Sequence, residues 1–209
     1  MTSPDRYELV VPDGWWAVDL GSGRWRQQIA ALVDSQWRGI DDAPHLKAEA
    51  RAELERQASR AAGAGGLQLF LSVGTLAGVP LSASLLVSSV PLDSPAELAA
   101  LARRRRDEGA QVTDVLLPAG PALRARWRQE SEQEDQPATT CLDLHVPVPQ
   151  HPRALVLQFR TPMEPLADAL VEVFDAVATT LRWSSTGSAG EAPDSDDAVT
   201  IPRPLLQEG

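Results

Sequence analysis

From Ala154 to Arg160 the chain alternates, with Leu155, Leu157 and Phe159 falling on one side of an extended segment. The period then changes. Thr161-Pro162-Met163-Glu164 predicts a helix start. Thr161 is the N-cap, its hydroxyl accepting from an otherwise unpaired N–H; Pro162 fills the first helical position and Glu164 reaches back to close a capping box. Leu166, Leu170, Val173, Phe174, Val177 and Leu181 follow at helical spacing. Burying six such side chains contributes about 10 kcal/mol before chain entropy is subtracted. A helix of this kind packs on a sheet that contains the strand before it.

The same reading extends along the chain. Tyr7 to Val11 and Trp15 to Leu20 read as short strands around the turn Pro12-Asp13-Gly14. Trp25, Ile29, Leu32, Val33 and Trp37 predict a helix over about 24–37, closed by Gly39. Asp42 and Pro44 open a second helix whose thin apolar stripe runs through Leu46, Ala50, Leu54, Gln57 and Ala61. Gly63-Ala64-Gly65-Gly66 follows this helix and precedes a strand, the reverse of a phosphate-binding loop, so it reads as a helix stop. Leu67 to Val73 and Pro80 to Val90 alternate as strands, with Ala77-Gly78 turning the chain between them. Ser94-Pro95-Ala96-Glu97 is a second capping box, opening a helix that ends at Gly109. Val112 to Leu117 is the next strand. Leu123 to Arg128 and Thr139 to Val146 form a hairpin with a long polar loop, one face apolar and the other polar. The whole is an α+β domain over residues 5–183, with an antiparallel sheet of about six to seven strands, three to four flanking helices and a helical insertion at 24–62. Residues 184–209 carry five acids against the single Arg203 and little core-forming content, so they read as a disordered acidic tail.

Composition narrows the class of function. The formal net charge of -10 argues against nucleic acid and anionic membranes, both of which need clustered cations. Cys141 is the only cysteine, so no intrachain disulfide forms. No secretory signal is legible at Met1-Thr2-Ser3-Pro4-Asp5-Arg6 and no run is long enough to span a bilayer, which points to a cytoplasmic protein. The Ala-, Arg- and Asp-rich usage suggests a high-GC bacterial source.

Candidate chemistry is sparse. No nucleophile elbow, zinc-protease helix or Walker loop is present. Arg103-Arg104-Arg105-Arg106 is the densest charge run; cations at a helix C-terminus offset its exposed carbonyls, and the same run is a candidate contact for an acidic partner. Arg124, Arg126 and Arg128 line one side of their strand and are further candidate contacts for a partner, and Cys141, Asp143 and His145 line one side of the facing strand. The latter set, with His151, is a weak metal pattern, because a second cysteine is missing and the arginines opposite would repel a dication. Asp143 paired with one of those arginines is the simpler expectation. His45 and its acidic neighbours Asp42, Glu49 and Glu53 read as solvated surface. Among six tryptophans, the adjacent Trp15 and Trp16 point to opposite faces, and both are buried only if both faces are covered. Trp15, Trp16 and Trp37 are the candidate aromatic anchors for a partner.

Two stretches resemble the PsbP-like fold family. Tyr7-Glu8-Leu9-Val10-Val11-Pro12-Asp13-Gly14-Trp15 is similar to its opening strand and turn. Leu157-Gln158-Phe159-Arg160-Thr161-Pro162 and Phe174 to Trp183 are similar to its last strand and closing helix. The resemblance implies an antiparallel sheet flanked by helices. It also implies protein binding: members include exported lipoproteins and bacterial secretion chaperones, and no catalytic residue carries over.

These readings predict a non-enzymatic, cytoplasmic protein-binding module of the adaptor or secretion-chaperone kind, with no cofactor and no metal. Two alternatives stand beside it. One is an immunity protein neutralising a basic toxin by acidic complementarity. The other is a hydrolase-like enzyme built on Asp143 and His145, with His151 as a further candidate.

Overall fold

The computed structural model describes residues 6–39, 44–76, 78–131 and 136–185. The expected cap Asp42 and the tail from 186 onward lie outside them. The elements run β1 (Arg6–Glu8), β2 (Trp15–Asp19), α1 (Trp25–Gln36), α2 (Pro44–Gly63), β3 (Gly66–Ser72), β4 (Thr75–Leu76), β5 (Val79–Pro80) and β6 (Ser84–Pro91). Then come α3 (Pro95–Asp107), β7 (Gln111–Leu117), β8 (Gly120–Gln129), β9 (Thr139–Pro147), β10 (Arg153–Thr161), a 3-10 turn (Glu164–Leu166), α4 (Ala167–Thr179) and β11 (Arg182–Ser184). Seven strands form one sheet in the order β2-β3-β6-β10-β9-β8-β7, every neighbouring pair antiparallel. The fold class is therefore α+β, an antiparallel sheet flanked by helices. No helix among the described residues is long and apolar enough to cross a membrane.

Register assigns side chains to the two faces of the sheet. Leu142, Leu144, Leu155, Leu157, Phe159, Leu85 and Phe70 share one face and are fully buried. Helix α4 covers them with Leu170, Phe174 and Val177, and Phe174 stacks on Phe159 with ring centroids 4.7 Å apart. On the opposite face Val18 and Leu69 meet Trp25, Ile29 and Val33 of α1 and Ala58 of α2. Farther along that face α3 packs on β7 and β8. Both faces are thus covered, and the adjacent tryptophans divide between them. Trp15 joins the α4 core, edge-on to Phe174, while Trp16 packs with the α1–α2 core.

Glycine is required where α2 gives way to β3. Gly65 has φ +85, and a Cβ there would lie 2.7 Å from the Ser89 carbonyl oxygen. At Gly66 it would lie 2.6 Å from that of Ala61. Helix α2 itself is polar along most of its length and laced by Arg51–Glu55 and Arg56–Glu53 pairs, with Lys47 reaching Asp34 of α1 at 2.7 Å.

Several local expectations change. Thr161 ends β10 rather than capping α4. Its hydroxyl donates to Ser82 O at 2.7 Å and accepts from Met163 N at 3.2 Å, and a 3-10 turn intervenes before the helix. Glu164 pairs with Arg128 instead of closing a capping box. Ser94 makes no side-chain cap bond, while Glu97 accepts from the Asp93 N–H at 3.2 Å. Val173 is 38% exposed, and Val171 and Ala178 are buried in its place. Trp183 lies in β11, paired with Tyr7 of β1, rather than at a helix end.

Candidate functional site

The hairpin β8–β9 does not sort into one apolar and one polar face. Its register sets Leu123 against His145, Ala125 against Asp143 and Trp127 against Cys141. The apolar side of one strand therefore shares a face with the polar side of the other. Arg124, Arg126 and Arg128 project to the opposite face, toward α4. Arg124 grips Asp175 through Nε and Nη2, both at 2.8 Å. Arg126 pairs with Asp168, and Arg128 with Glu164 and Glu130. All three arginines thus have carboxylate partners within the chain.

Asp143 finds its cation elsewhere. It is 1% exposed and accepts from Arg160 Nη1 at 2.7 Å, with Arg105 of α3 at 3.8 Å. Both guanidiniums lie over the Trp127 ring, at 4.4 Å for Arg105 and 5.0 Å for Arg160. Arg105 is thus the one member of the basic run turned inward. Arg104 pairs loosely with Glu108 at 3.9 Å, and Arg103 and Arg106 are exposed. His145, two residues from Asp143, has a buried Nε2 without a partner. Burial holds its pKa below the ordinary 6.5, with Asp143 opposing the shift and Arg105 adding to it. Burial also raises the Cys141 thiol. Among the described residues no group of three or more His, Cys, Asp or Glu side chains is placed to hold a metal. This cluster braces α3 against the sheet, and Arg105 also bonds Glu108 of its own helix end at 3.1 Å. The inward turn of Arg105 and the contribution of Arg160 were hidden from the sequence, because each depends on which strand lies beside β9.

Two concave surfaces are lined by described residues. The first is a groove of about 380 Å³ between α1, α2 and the sheet. Trp37, half-buried at the end of α1, lines it with Leu32, Leu54, Leu71, Val73 and Leu81. The remaining lining is aliphatic, serine or glutamine, with no charged side chain. The second, about 660 Å³, lies beyond the other end of β6, under the start of α3, and contains His151. The three tryptophan candidates are all half-buried: Trp15 packs on the α4 core and Trp16 and Trp37 on the α1–α2 core, and Trp37 also lines the groove. His45 and Glu49 are exposed on α2, as the sequence suggested.

No protein-family model matches the sequence, and no curated protein matches it. Among solved structures the chain is similar to the solution structure of cyanobacterial PsbP (CyanoP) from Synechocystis sp. PCC 6803. The identity is 14% and the TM-score 0.42, over 88% of this chain and 94% of that one. The likeness is to a PsbP-like fold and concerns the fold alone.

Proposed function

We propose that this chain is a non-enzymatic protein-binding module whose groove beside Trp37 takes an apolar segment of a partner protein. The observation that carries the reading is the lining of that groove: aliphatic side chains and one half-buried indole, with serine and glutamine but no charge. An apolar segment entering it gains roughly 25 cal/mol for each Å² of apolar surface removed from water and leaves no ion stripped of solvent. Tryptophan combines large contact area with few rotamers, which makes it a frequent anchor of interfaces. An adaptor or chaperone that holds an extended apolar segment needs this kind of surface. An immunity protein working by acidic complementarity would place its contact on carboxylates instead.

A photo-crosslinking amino acid in place of Gln57, which lines the groove, tests the reading in the native host. A discrete protein adduct is expected, and Leu54→Lys should abolish it by placing a charge among the aliphatic side chains. An adduct that survives Leu54→Lys, or one obtained only from a control position on α4 such as Glu172, would overturn it.

A further inference from the structure

Helix α3 is held to the sheet by little apolar surface. Its one fully buried side chain is Ala102, whereas α4, of the same length, buries Leu170, Val171, Phe174, Val177 and Ala178. Helix α3 packs on β7 and β8, and Leu123 and Ala125 of β8 lie buried on the face that also carries Asp143 and His145. The polar anchor of α3 is Arg105, which lies over the Trp127 ring and faces Asp143.

The two oxygens of Asp143 are unequally held. Oδ1 accepts from Arg160 Nη1 at 2.7 Å. Oδ2 has Arg105 Nη2 at 3.8 Å, an ion pair too long for a hydrogen bond. Arg105 also donates to Glu108 at 3.1 Å, so it keeps a carboxylate of its own helix end if α3 moves. His145 stands two residues along β9, on the same side as Asp143. Its neighbours across the sheet are Leu123 of β8 and Val156 of β10, neither charged. The charged and titratable groups around it are Arg105 of α3, Asp143 with the Arg160 of β10 that holds it, and Cys141 farther along its own strand. His145 Nε2 is buried without a hydrogen-bond partner, and so is Arg105 Nε. With α3 seated, two polar atoms are thus cut off from water and left unpaired.

We propose that α3 is an acid-released cover on the sheet, latched by Arg105 against Asp143 and freed when a proton on His145 makes the imidazole the better partner for that carboxylate. Opening takes up the proton. With α3 seated, burial and then Arg105 disfavour the charged imidazole, while Asp143 favours it. With α3 lifted, water reaches the ring, Arg105 leaves with Glu108, and the cationic imidazole donates to Asp143 Oδ2. A fall in pH therefore shifts the balance toward the open form, which bares Leu123 and Ala125 of β8. This device is separate from the groove beside Trp37 and does not depend on the protein-binding reading.

Amide hydrogen exchange of the ¹⁵N-labelled full chain, read by NMR as protection factors at about pH 7.5 and about pH 5.5, tests the proposal. Residues 99–107 of α3 should exchange faster than residues 171–179 of α4 at both pH values, because α3 opens on its own. Protection in α3 should fall several-fold at the lower pH, toward a ceiling of about tenfold for one proton taken up across one pH unit below 6.5. His145→Gln should flatten that step. Arg105→Gln removes the latch and should lower α3 protection already at the higher pH, with α4 unchanged. One common protection factor for α3 and α4, an α3 protection that does not fall with pH, or a His145→Gln variant that keeps the full step would each overturn the proposal.

Discussion

At the scale of single residues, the most constrained group is the Asp143 carboxylate. Removing a buried carboxylate from water costs several kcal/mol unless it is paired and hydrogen-bonded, and here two guanidiniums over one indole supply the pairing. His145 shares the same interior without a partner for Nε2. Its folded pKa lies below 6.5, first because of burial, then because Arg105 repels the charged form, while Asp143 acts the other way. The unfolded chain therefore binds a proton that the folded chain resists. His145 adds no pH dependence above its unfolded value, and stability falls as pH drops through 6.5 toward the lower folded value. Urea unfolding at successive pH values should show this fall in the parent and a shallower one in His145→Gln. Identical slopes would remove His145 from the account.

At the scale of elements, α4 is held in two ways. Phe174 and its neighbours bury apolar surface, and Arg124 and Arg126 of β8 reach over to its carboxylates while Arg128 reaches Glu164 in the 3-10 turn before it. These ion pairs are unequal. The Arg124 side chain is 17% exposed and bonds Asp175 bidentately, whereas Arg128 and Glu164 are both half exposed or more and screened by water. Arg124→Ala should cost about 1–2 kcal/mol and Arg128→Ala distinctly less. Equal losses on chemical denaturation would contradict the asymmetry.

The same elements show how far the sequence could be read. Alternation placed Leu155, Leu157 and Phe159 on the α4 face of β10, and helical spacing placed Leu170, Phe174 and Val177 against them. The start of α4 was misread because Thr161 and Glu164 are good capping residues in isolation. Here Ser82 and Arg128 compete for them across the fold. The faces of the β8–β9 hairpin were misread for a related reason. Alternation sorts residues within a strand, but which side faces which partner is fixed by register across a long loop. Strand β11 is three residues long, too short to show a period, and it forms only because β1 lies beside it. The groove beside Trp37 was half legible: the indole was a candidate, but its neighbours on β3 and the β5–β6 connection are distant in sequence. The cleft that His151 lines was not legible, since its walls come from separate connections and strands distant in sequence.

At the scale of the whole molecule, a sheet covered on both sides leaves concave surfaces where covering helices meet the sheet imperfectly. The α1–α2 pair, inserted between β2 and β3, creates one such seam. Although the chain carries a net charge of -10, a seam lined without charge lets an apolar segment enter without desolvating ions. We propose this seam as the place where a partner protein binds. Hydrogen–deuterium exchange on the full chain, alone and saturated with the crosslinked partner, tests it most directly. Slowed exchange is expected in residues 32–37, 54–57, 69–73 and 81–84. Protection confined to β7, β8 or α4, with the groove exchanging as in the free protein, would contradict it.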